Sequence, residues 1–136
     1  MPVIRALDDS DAESFRSLLA AAGWLDRETD LACVAAMISG ADVFGAVDAH
    51  KGLIGAARGI SDRASDGYIQ DVFVLPEERG RGIGGALVDA VIAALKRRGC
   101  DWIGLIATPG NSGFYRRKGF EIMERHTPML LNNTQR

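Results

Sequence analysis

The chain has 136 residues, of which 47% are hydrophobic and 25% charged, and its formal net charge is −2 at pH 7. This apolar content is enough for one folded core, which excludes an intrinsically disordered chain. The pI near 5.6 does not fit a nucleic-acid-binding domain, which usually carries clustered positive charge, so we expect no nucleic-acid partner.

The cysteines and the N-terminal sequence indicate the cellular compartment of the protein. Cys33 and Cys100 lie far apart and form no C-x-x-C pair, which predicts neither a disulfide framework nor a structural metal. The N-terminus has no apolar signal core, and no apolar run approaches the roughly 18 residues of a membrane span. We therefore expect a cytoplasmic protein with no membrane partner.

The first third of the chain is predicted to hold a short strand at residues 3–7 and two helices. Ser10 to Glu13 fits a capping box, which predicts the start of a helix that ends at Gly23. A second helix is predicted over residues 30–39, with Gly40 just beyond its last turn.

The middle of the chain is predicted to form three strands and the longest helix. Alternating apolar residues indicate a hairpin of strands at 43–47 and 53–60, and a fourth strand follows at 68–75. The helix after it runs to about residue 96 and has apolar residues spaced four apart, which is typical of a face that packs on a core. These residues are Ile83, Leu87, Val91 and Leu95.

The last part of the chain is predicted to hold a strand at 102–106, a short helix at 112–118 and a closing hairpin. The arms of that hairpin are residues 120–123 and 128–131. Strands on both sides of a crossover helix imply a mixed sheet with at least one parallel pair. The pattern therefore predicts an α/β fold in a single domain spanning residues 1–136.

A glycine-rich loop separates the fourth strand from the helix that follows. Unpaired N–H groups at a helix N-terminus attract phosphate, and glycine lets phosphate oxygens approach the backbone. Two arginines add forked donors. We therefore predict a pyrophosphate site here. Its residues are Arg79, Gly80, Arg81, Gly82, Ile83, Gly84 and Gly85.

Residues 80–85 also satisfy the dinucleotide pattern G-x-G-x-x-G. In a dinucleotide-binding fold the first glycine directly follows the first strand, and an acidic residue comes about 20 positions later. Here residues 75–79 intervene and Asp101 precedes the next strand instead of ending it. A nucleotide-dependent oxidoreductase or binding module is therefore the less favoured alternative.

Three motifs, in chain order, resemble those of the GCN5-related N-acetyltransferase (GNAT) superfamily. Arg79, Gly82 and Gly84 match the family signature [Arg/Gln]-x-x-Gly-x-[Gly/Ala]. Residues 67–77 look like the family's fourth strand and its exit, and residues 114–120 look like its Tyr-x-x-x-Gly-Phe. The resemblance spans nearly the whole chain and implies a mixed, mostly antiparallel sheet flanked by helices.

The resemblance implies an N-acetyltransferase that uses acetyl-CoA as co-substrate, without a metal. Its acceptor would be a primary amine of a small molecule or peptide that attacks the thioester directly. In relatives the fourth strand, here Val72, Phe73 and Val74, holds the pantetheine and acetyl oxygen through its main chain. Relatives often form homodimers, which leaves a homodimer as an expectation. A non-catalytic acyl-CoA-binding or sensing domain is the alternative function.

Tyr115 and Asp71 are the candidate catalytic residues. Tyr115 starts the Tyr-x-x-x-Gly-Phe stretch, and a phenol with a pKa near 10 can protonate a departing thiolate with a pKa of about 8.5. Asp71 lies beside the proposed thioester site and is the candidate general base, with a structural hydrogen-bond network as the alternative role. His126 is a weaker candidate base.

Two parts of the site are less well defined by the sequence. The family often has an asparagine eight residues before this tyrosine, but that position is Ala107 and Asn111 lies only four before it. A contact of Asn111 with pantetheine therefore stays open. The resemblance places the acceptor near Trp24, Leu25, Asp26 and the loop at 62–66. Acidic residues there suit a cationic amine, although a plain polar loop with turn residues fits at least as well.

Overall fold

The computed structural model describes residues 1–132, which form one five-stranded sheet with helices packed on both faces. The strands are β1 (Val3–Ala6), β2 (Asp42–Asp48), β3 (Gly52–Ser61), β4 (Asp66–Val74) and β5 (Trp102–Leu105). The helices are α1 (Ala12–Ala21), α2 (Leu31–Ser39), α3 (Ile83–Arg97) and α4 (Ser112–Arg116).

The sheet has the strand order β1-β2-β3-β4-β5. Its first three pairs are antiparallel, and β4 and β5 are parallel because α3 crosses over between them. The mixed, mostly antiparallel sheet expected from the GNAT resemblance is therefore confirmed.

Each face of the sheet has its own apolar cluster. The predicted stripe of α3 is buried against one face, and β3 lets the helix approach closely because Gly59 has no side chain. A Cβ at Gly59 would lie 2.7 Å from Cγ1 of Val91. Helices α1 and α2 cover the other face with Phe15, Leu19, Val34 and Ile38, which are almost fully buried.

The predicted capping box at Ser10 is wrong, because the chain is capped earlier. A short 3₁₀ turn over Asp9–Asp11 precedes α1, and Asp8 caps that turn. The Asp8 carboxylate accepts from the main-chain N–H of Ser10 at 2.9 Å, and Asp11 accepts from the N–H of Asp8 at 2.9 Å. Two aspartates therefore form the reciprocal bonds that the sequence pattern assigned to Ser10 and Glu13.

The predicted closing hairpin is also wrong for the part of the chain that the structure describes. Residues 120–132 contain a turn, in which the N–H of His126 donates to the carbonyl of Met123 at 3.3 Å, but neither arm forms a strand. Apolar residues on both sides of a turn satisfy the hairpin pattern, yet residues 121–132 are exposed throughout. β5 is consequently the edge of the sheet.

Candidate functional site

A cleft opens where β4 and β5 separate. Their parallel pairing runs only from Asp66 to Ile69 on β4. Beyond it β4 contains a bulge, since Asp71 and Val72 together face Ala57 of β3 and Asp71 has a φ of 58°. The remaining length of β4 therefore stays paired with β3 on one side and borders an opening on the side of β5.

The cleft has a volume of about 630 Å³, within the range of small-ligand sites. Its wall on β4 exposes main-chain groups as well as side chains. The N–H of Leu75 donates to Ile54 on β3 at 2.9 Å, so by antiparallel alternation the main-chain groups of Val72 and Val74 point into the cleft. The GNAT resemblance implies that these main-chain groups hold an extended amide-containing ligand, and that role stays a prediction.

The glycine loop, Arg79 to Gly82, closes one end of the cleft. Gly80 and Gly82 have φ values of 82° and 79°, a left-handed conformation that glycine adopts without strain. Gly82 is the N-cap of α3 and provides no side-chain cap, so the first N–H groups of the helix have no intrahelical or side-chain acceptor. Gly82, Ile83, Gly84 and Gly85 line the cleft, which makes this helix end suitable for an anion.

The two loop arginines have different surroundings. Arg79 lines the cleft, donates from Nε to the carbonyl of Val74 at 2.8 Å and places its guanidinium 5.3 Å from the ring centre of Phe73. Arg81 pairs with Glu78 at 2.7 Å and does not line the cleft. Of the two, Arg79 has its charge beside the proposed pyrophosphate site.

Glu78 is a functional candidate that sequence reasoning missed. Its side chain is buried and binds both Arg81 at 2.7 Å and Lys51 at 2.8 Å, which ties the turn between β2 and β3 to the glycine loop. The Glu78 contact raises the pKa of Lys51. Nothing in the run Pro76-Glu77-Glu78 distinguishes the buried glutamate from its exposed neighbour, because Lys51 lies far away in the sequence.

Tyr115 lies on α4 and lines the cleft opposite β4. Its ring packs edge-on against Phe114 at 4.9 Å and Phe120 at 6.0 Å between ring centres. Burial raises the pKa of Tyr115 above its usual value of 10.0. The phenol is therefore protonated at neutral pH, the state that a general acid requires.

The Tyr-x-x-x-Gly-Phe motif has a structural explanation at the end of α4. Gly119 has a φ of 101°, its N–H donates to Arg116, and the N–H of Phe120 donates to Tyr115. These two bonds form a Schellman motif, which ends the helix and turns Phe120 back onto Tyr115. The helix therefore stops at Arg116, two residues before the predicted end.

Asp71 is held in a buried ion pair. Its Oδ2 accepts from Nε and from Nη2 of Arg58, both at 2.9 Å, and both side chains are almost entirely buried. Within residues 1–132, Asp71 is not among the residues that line the cleft. The arrangement matches the structural alternative considered for Asp71, and its role as a general base stays a prediction.

The family model of the acetyltransferase (GNAT) domain matches residues 39–122, which is more than half of the chain. The chain belongs to the GNAT acetyltransferase family. The GNAT match contains β4, the glycine loop, α3 and α4, which are the elements around the cleft. Acetyl transfer is the general activity of this family.

Similar proteins agree with the GNAT assignment. A chloroplastic GCN5-related N-acetyltransferase 2 of Arabidopsis thaliana is 44% identical over 72 residues, covering 53% of this chain and 28% of the plant protein. A solved protein of Xanthomonas campestris assigned to the GNAT family is 37% identical, with a TM-score of 0.70 and coverage of 94% and 96%. A Mycobacterium tuberculosis protein solved with CoA shares the fold, at 24% identity and a TM-score of 0.75, with coverage of 95% and 76%.

Three further residues line the cleft of this GNAT domain. The sequence analysis did not assign two of them to the site. Thr108 and Phe114 were missed, and Asn111 had been left open. Asn111 donates from Nδ2 to Oγ1 of Thr108 at 2.6 Å, so the two form one polar group in the wall. Phe114 directly precedes Tyr115 on α4, and this adjacency is the sequence signal that could have identified it.

Of the two regions predicted to lie near the acceptor, one lines the cleft and the other does not. Trp24 lines the cleft and packs edge-on against Phe73, with 5.6 Å between ring centres. The loop at 62–66 is not among the lining residues, and Asp62 accepts hydrogen bonds from the N–H groups of Ala64, Ser65 and Asp66. These bonds hold the pKa of Asp62 well below its usual range. They give Asp62 the role of closing a turn.

Two further observations concern the described residues, 1–132. No helix there is long and apolar enough to cross a membrane. No group of three or more histidine, cysteine, aspartate or glutamate side chains there is placed to hold a metal ion.

Proposed function

We propose that this chain is an acetyl-CoA-dependent N-acetyltransferase whose acceptor is a primary amine of a small molecule or peptide. The observation that carries the proposal is the meeting of three features in one cleft. They are the main chain of β4, the uncapped N-terminus of α3 after the glycine loop, and the phenol of Tyr115. The CoA bound to the structural neighbour from Mycobacterium tuberculosis is consistent with this assignment.

Acetyl-CoA fits the cleft in its chemistry and its charge. The first N–H groups of α3 would bind the pyrophosphate, with Arg79 adding positive charge beside them. The main chain of Val72 and the N–H of Val74 would pair with the amides of the pantetheine arm, while the carbonyl of Val74 accepts from Arg79. Preorganised N–H donors on β4 would also stabilise the negative charge that develops on the acetyl oxygen.

In the proposed reaction the neutral amine attacks the acetyl carbon directly. A carbon–nitrogen bond forms, the carbon–sulfur bond breaks, and the departing thiolate takes a proton from Oη of Tyr115. The attacking amine gives up a proton to water or to a base. Tyr115 is suited to its part because burial keeps it protonated, and Phe114 and Phe120 hold its ring in place.

The acceptor is proposed to bind beside the aromatic pair of Trp24 and Phe73. This pair lines the cleft on the side of α1 and α2, where both residues also join the apolar cluster under these helices. An aromatic wall favours an amine attached to an apolar or aromatic group, since such a group loses its contact with water there.

Titration calorimetry with acetyl-CoA, using NAD as the parallel control, tests the binding site. Acetyl-CoA should bind and NAD should not. Binding of NAD alone would refute the proposal. Thiol release with a panel of primary amines then tests the chemistry. Acetyl-CoA binding without release for any amine would favour the non-catalytic acyl-CoA-binding alternative.

Tyr115→Phe tests the proposed acid. It should lower kcat by about 10-fold or more, since general acid catalysis typically contributes roughly 10²- to 10⁴-fold, and leave the affinity for acetyl-CoA nearly unchanged. Tyr68→Phe is the matched control, because the Tyr68 phenol is also partly buried but contacts the main chain of Ile106 and does not line the cleft. Equal kcat values for the two variants would remove Tyr115 from the mechanism.

A further inference from the structure

Glu78 is a buried carboxylate directly before the glycine loop. It ends a 3₁₀ turn over Pro76–Glu78, and its N–H donates to the carbonyl of Leu75 at 2.9 Å. The residue is only 3% exposed. Its Oε1 accepts from Nη1 of Arg81 at 2.7 Å, and its Oε2 accepts from Nζ of Lys51 at 2.8 Å. A buried carboxylate is unfavourable unless it is paired and hydrogen-bonded, so these two cations stabilise Glu78 and fix its orientation.

The two cations belong to segments that differ in how firmly they are held. Lys51 lies in the turn between β2 and β3, where the Asp48 carboxylate accepts from the N–H groups of His50 and Lys51 at 2.8 and 3.0 Å. Arg81 lies in the glycine loop, whose residues 79–82 are all exposed and include two glycines with positive φ. Little packing restrains such a segment. The bonds to Glu78 therefore attach a weakly packed loop to a well-bonded turn.

These three charged side chains lie outside the cleft. In the described part of the chain, Glu78, Lys51 and Arg81 are not among the residues that line it, and Lys51 lines a separate groove beside α1. Arg81 directly precedes Gly82, the N-cap of α3, so the position of Arg81 affects the direction of the first N–H groups of the helix. The three side chains can therefore act on a ligand in the cleft through the loop or through their charge.

The two ways of acting make opposite predictions for Glu78. Its negative charge lies near a site suited to an anion, so charge alone would weaken the binding of pyrophosphate. Its bonds to Arg81 and Lys51 would instead strengthen binding by holding the loop in its bound shape, since a preorganised loop loses less freedom when the ligand binds.

We propose that Glu78 is a positioning residue for the co-substrate site. Together with Lys51 and Arg81, it holds the glycine loop in the shape that binds the pyrophosphate of acetyl-CoA. The inference rests on the proposed function. It follows that the turn between β2 and β3 contributes to the affinity for acetyl-CoA, although Lys51 in that turn does not line the cleft.

Glu78→Gln keeps the size of the side chain and removes its charge. The dissociation constant for acetyl-CoA, measured by titration calorimetry, should rise about 10-fold, the effect of losing roughly one hydrogen bond to a charged group. Charge alone would lower that constant. S-acetylpantetheine contains the thioester but lacks the pyrophosphate, so its affinity, measured by displacement titration, should stay at the wild-type value. Equal or tighter binding of acetyl-CoA by the variant, or an equal loss for both ligands, would overturn the inference.

Lys51→Met provides a second test on a side chain that is 58% exposed, so the core stays intact. It should raise the dissociation constant for acetyl-CoA about 3-fold. In 1 M salt the screening length is only about 3 Å, but a partly buried ion pair is screened much less than exposed charges are. The ratio of the variant to the wild type should therefore stay well above one in 1 M salt. A ratio that falls to one would indicate a plain charge effect and contradict the positioning role.

Asp42→Asn is the matched control. Asp42 pairs with Arg98 at 2.6 Å and joins β2 to the C-terminal end of α3, about 22 Å along the helix from the glycine loop. This variant should bind acetyl-CoA like the wild type, and a loss as large as that of Glu78→Gln would refute the inference. Urea unfolding of each variant measures its stability. A wild type that does not bind acetyl-CoA would refute the proposed function and this inference with it, whereas normal wild-type binding with an unaffected Glu78→Gln would refute this inference alone.

Discussion

Gly82→Ala tests whether the shape of the glycine loop sets the affinity for acetyl-CoA. Gly82 has a φ of 79°, and a Cβ added there would meet nothing within 4 Å. The substitution therefore introduces no clash with residues beyond its own chain neighbours. Its cost is that of placing a residue with a Cβ in the left-handed region, about 1–2 kcal/mol.

This cost should appear mainly as lost affinity. Gly82 is exposed, so little packing holds the unliganded loop in place and the loop can relax to relieve the strain. Binding must then restore the strained conformation, and the dissociation constant for acetyl-CoA should rise about 5- to 30-fold. If the loop instead keeps its shape, the same energy appears as a lower free energy of unfolding.

Calorimetric titration with acetyl-CoA measures the affinity, and urea unfolding of the free protein measures the free energy of unfolding. Gly84→Ala is the matched control, because the family signature accepts alanine at this position and its Cβ would lie at ordinary contact distances, 3.7 Å from Val74 and 3.8 Å from Phe114. The control should bind acetyl-CoA normally and stabilise α3 by up to about 1 kcal/mol. Wild-type affinity and wild-type stability together in Gly82→Ala would refute the conformational argument. An equal loss in both variants would show that side-chain volume is what matters.

Three further outcomes are expected. If Tyr115 is the acid, kcat should fall only above pH 10, because the raised pKa keeps the phenol protonated until then, and Tyr115→Phe should lack that alkaline decline. Asp71→Asn should lower the free energy of unfolding by about 3 kcal/mol, since it leaves Arg58 buried without its counter-ion. A variant of normal stability whose kcat/KM has lost its acidic limb would instead identify Asp71 as the base. The hydrogen bond from Arg5 lowers the pKa of Asp11 below 3.8, so its stabilisation is present above that pH and lost as the pH falls. Urea unfolding should find Asp11→Asn less stable than wild type at pH 7, with the difference shrinking in acid.

Features that depend on local pattern could be predicted from the sequence. The four-residue spacing of Ile83 and Leu87 specifies which face of α3 is buried, and the structure buries that face. The glycine loop was recognisable because its positive φ values and its position before a helix both require glycine. Tyr115 was recognisable because residues 114–120 resemble the Tyr-x-x-x-Gly-Phe stretch of the GNAT family, and in the structure Gly119 and Phe120 form the helix end.

Features that depend on pairing between distant segments could not be predicted. Arg58 and Asp71 meet because β3 and β4 are neighbours and a bulge turns Asp71 toward the arginine. The buried carboxylate of Glu78 forms an ion pair with Lys51, which lies in the distant turn between β2 and β3. The prediction of a closing hairpin was wrong for the same reason. Alternating apolar residues indicate that a segment can form a strand, but they do not specify the strand with which it pairs.

The short pairing between β4 and β5 also bears on how the domain opens. β5 contributes four residues, which within residues 1–132 are bonded to the sheet on one side only, and its parallel pairing must wait for the α3 crossover to form. Main-chain amides of β5 should therefore exchange with solvent faster than those of β3, which is paired along both sides. Because β5 is also the strand whose divergence from β4 creates the cleft, we expect local opening of the sheet at β5 to change the access of ligand to the cleft.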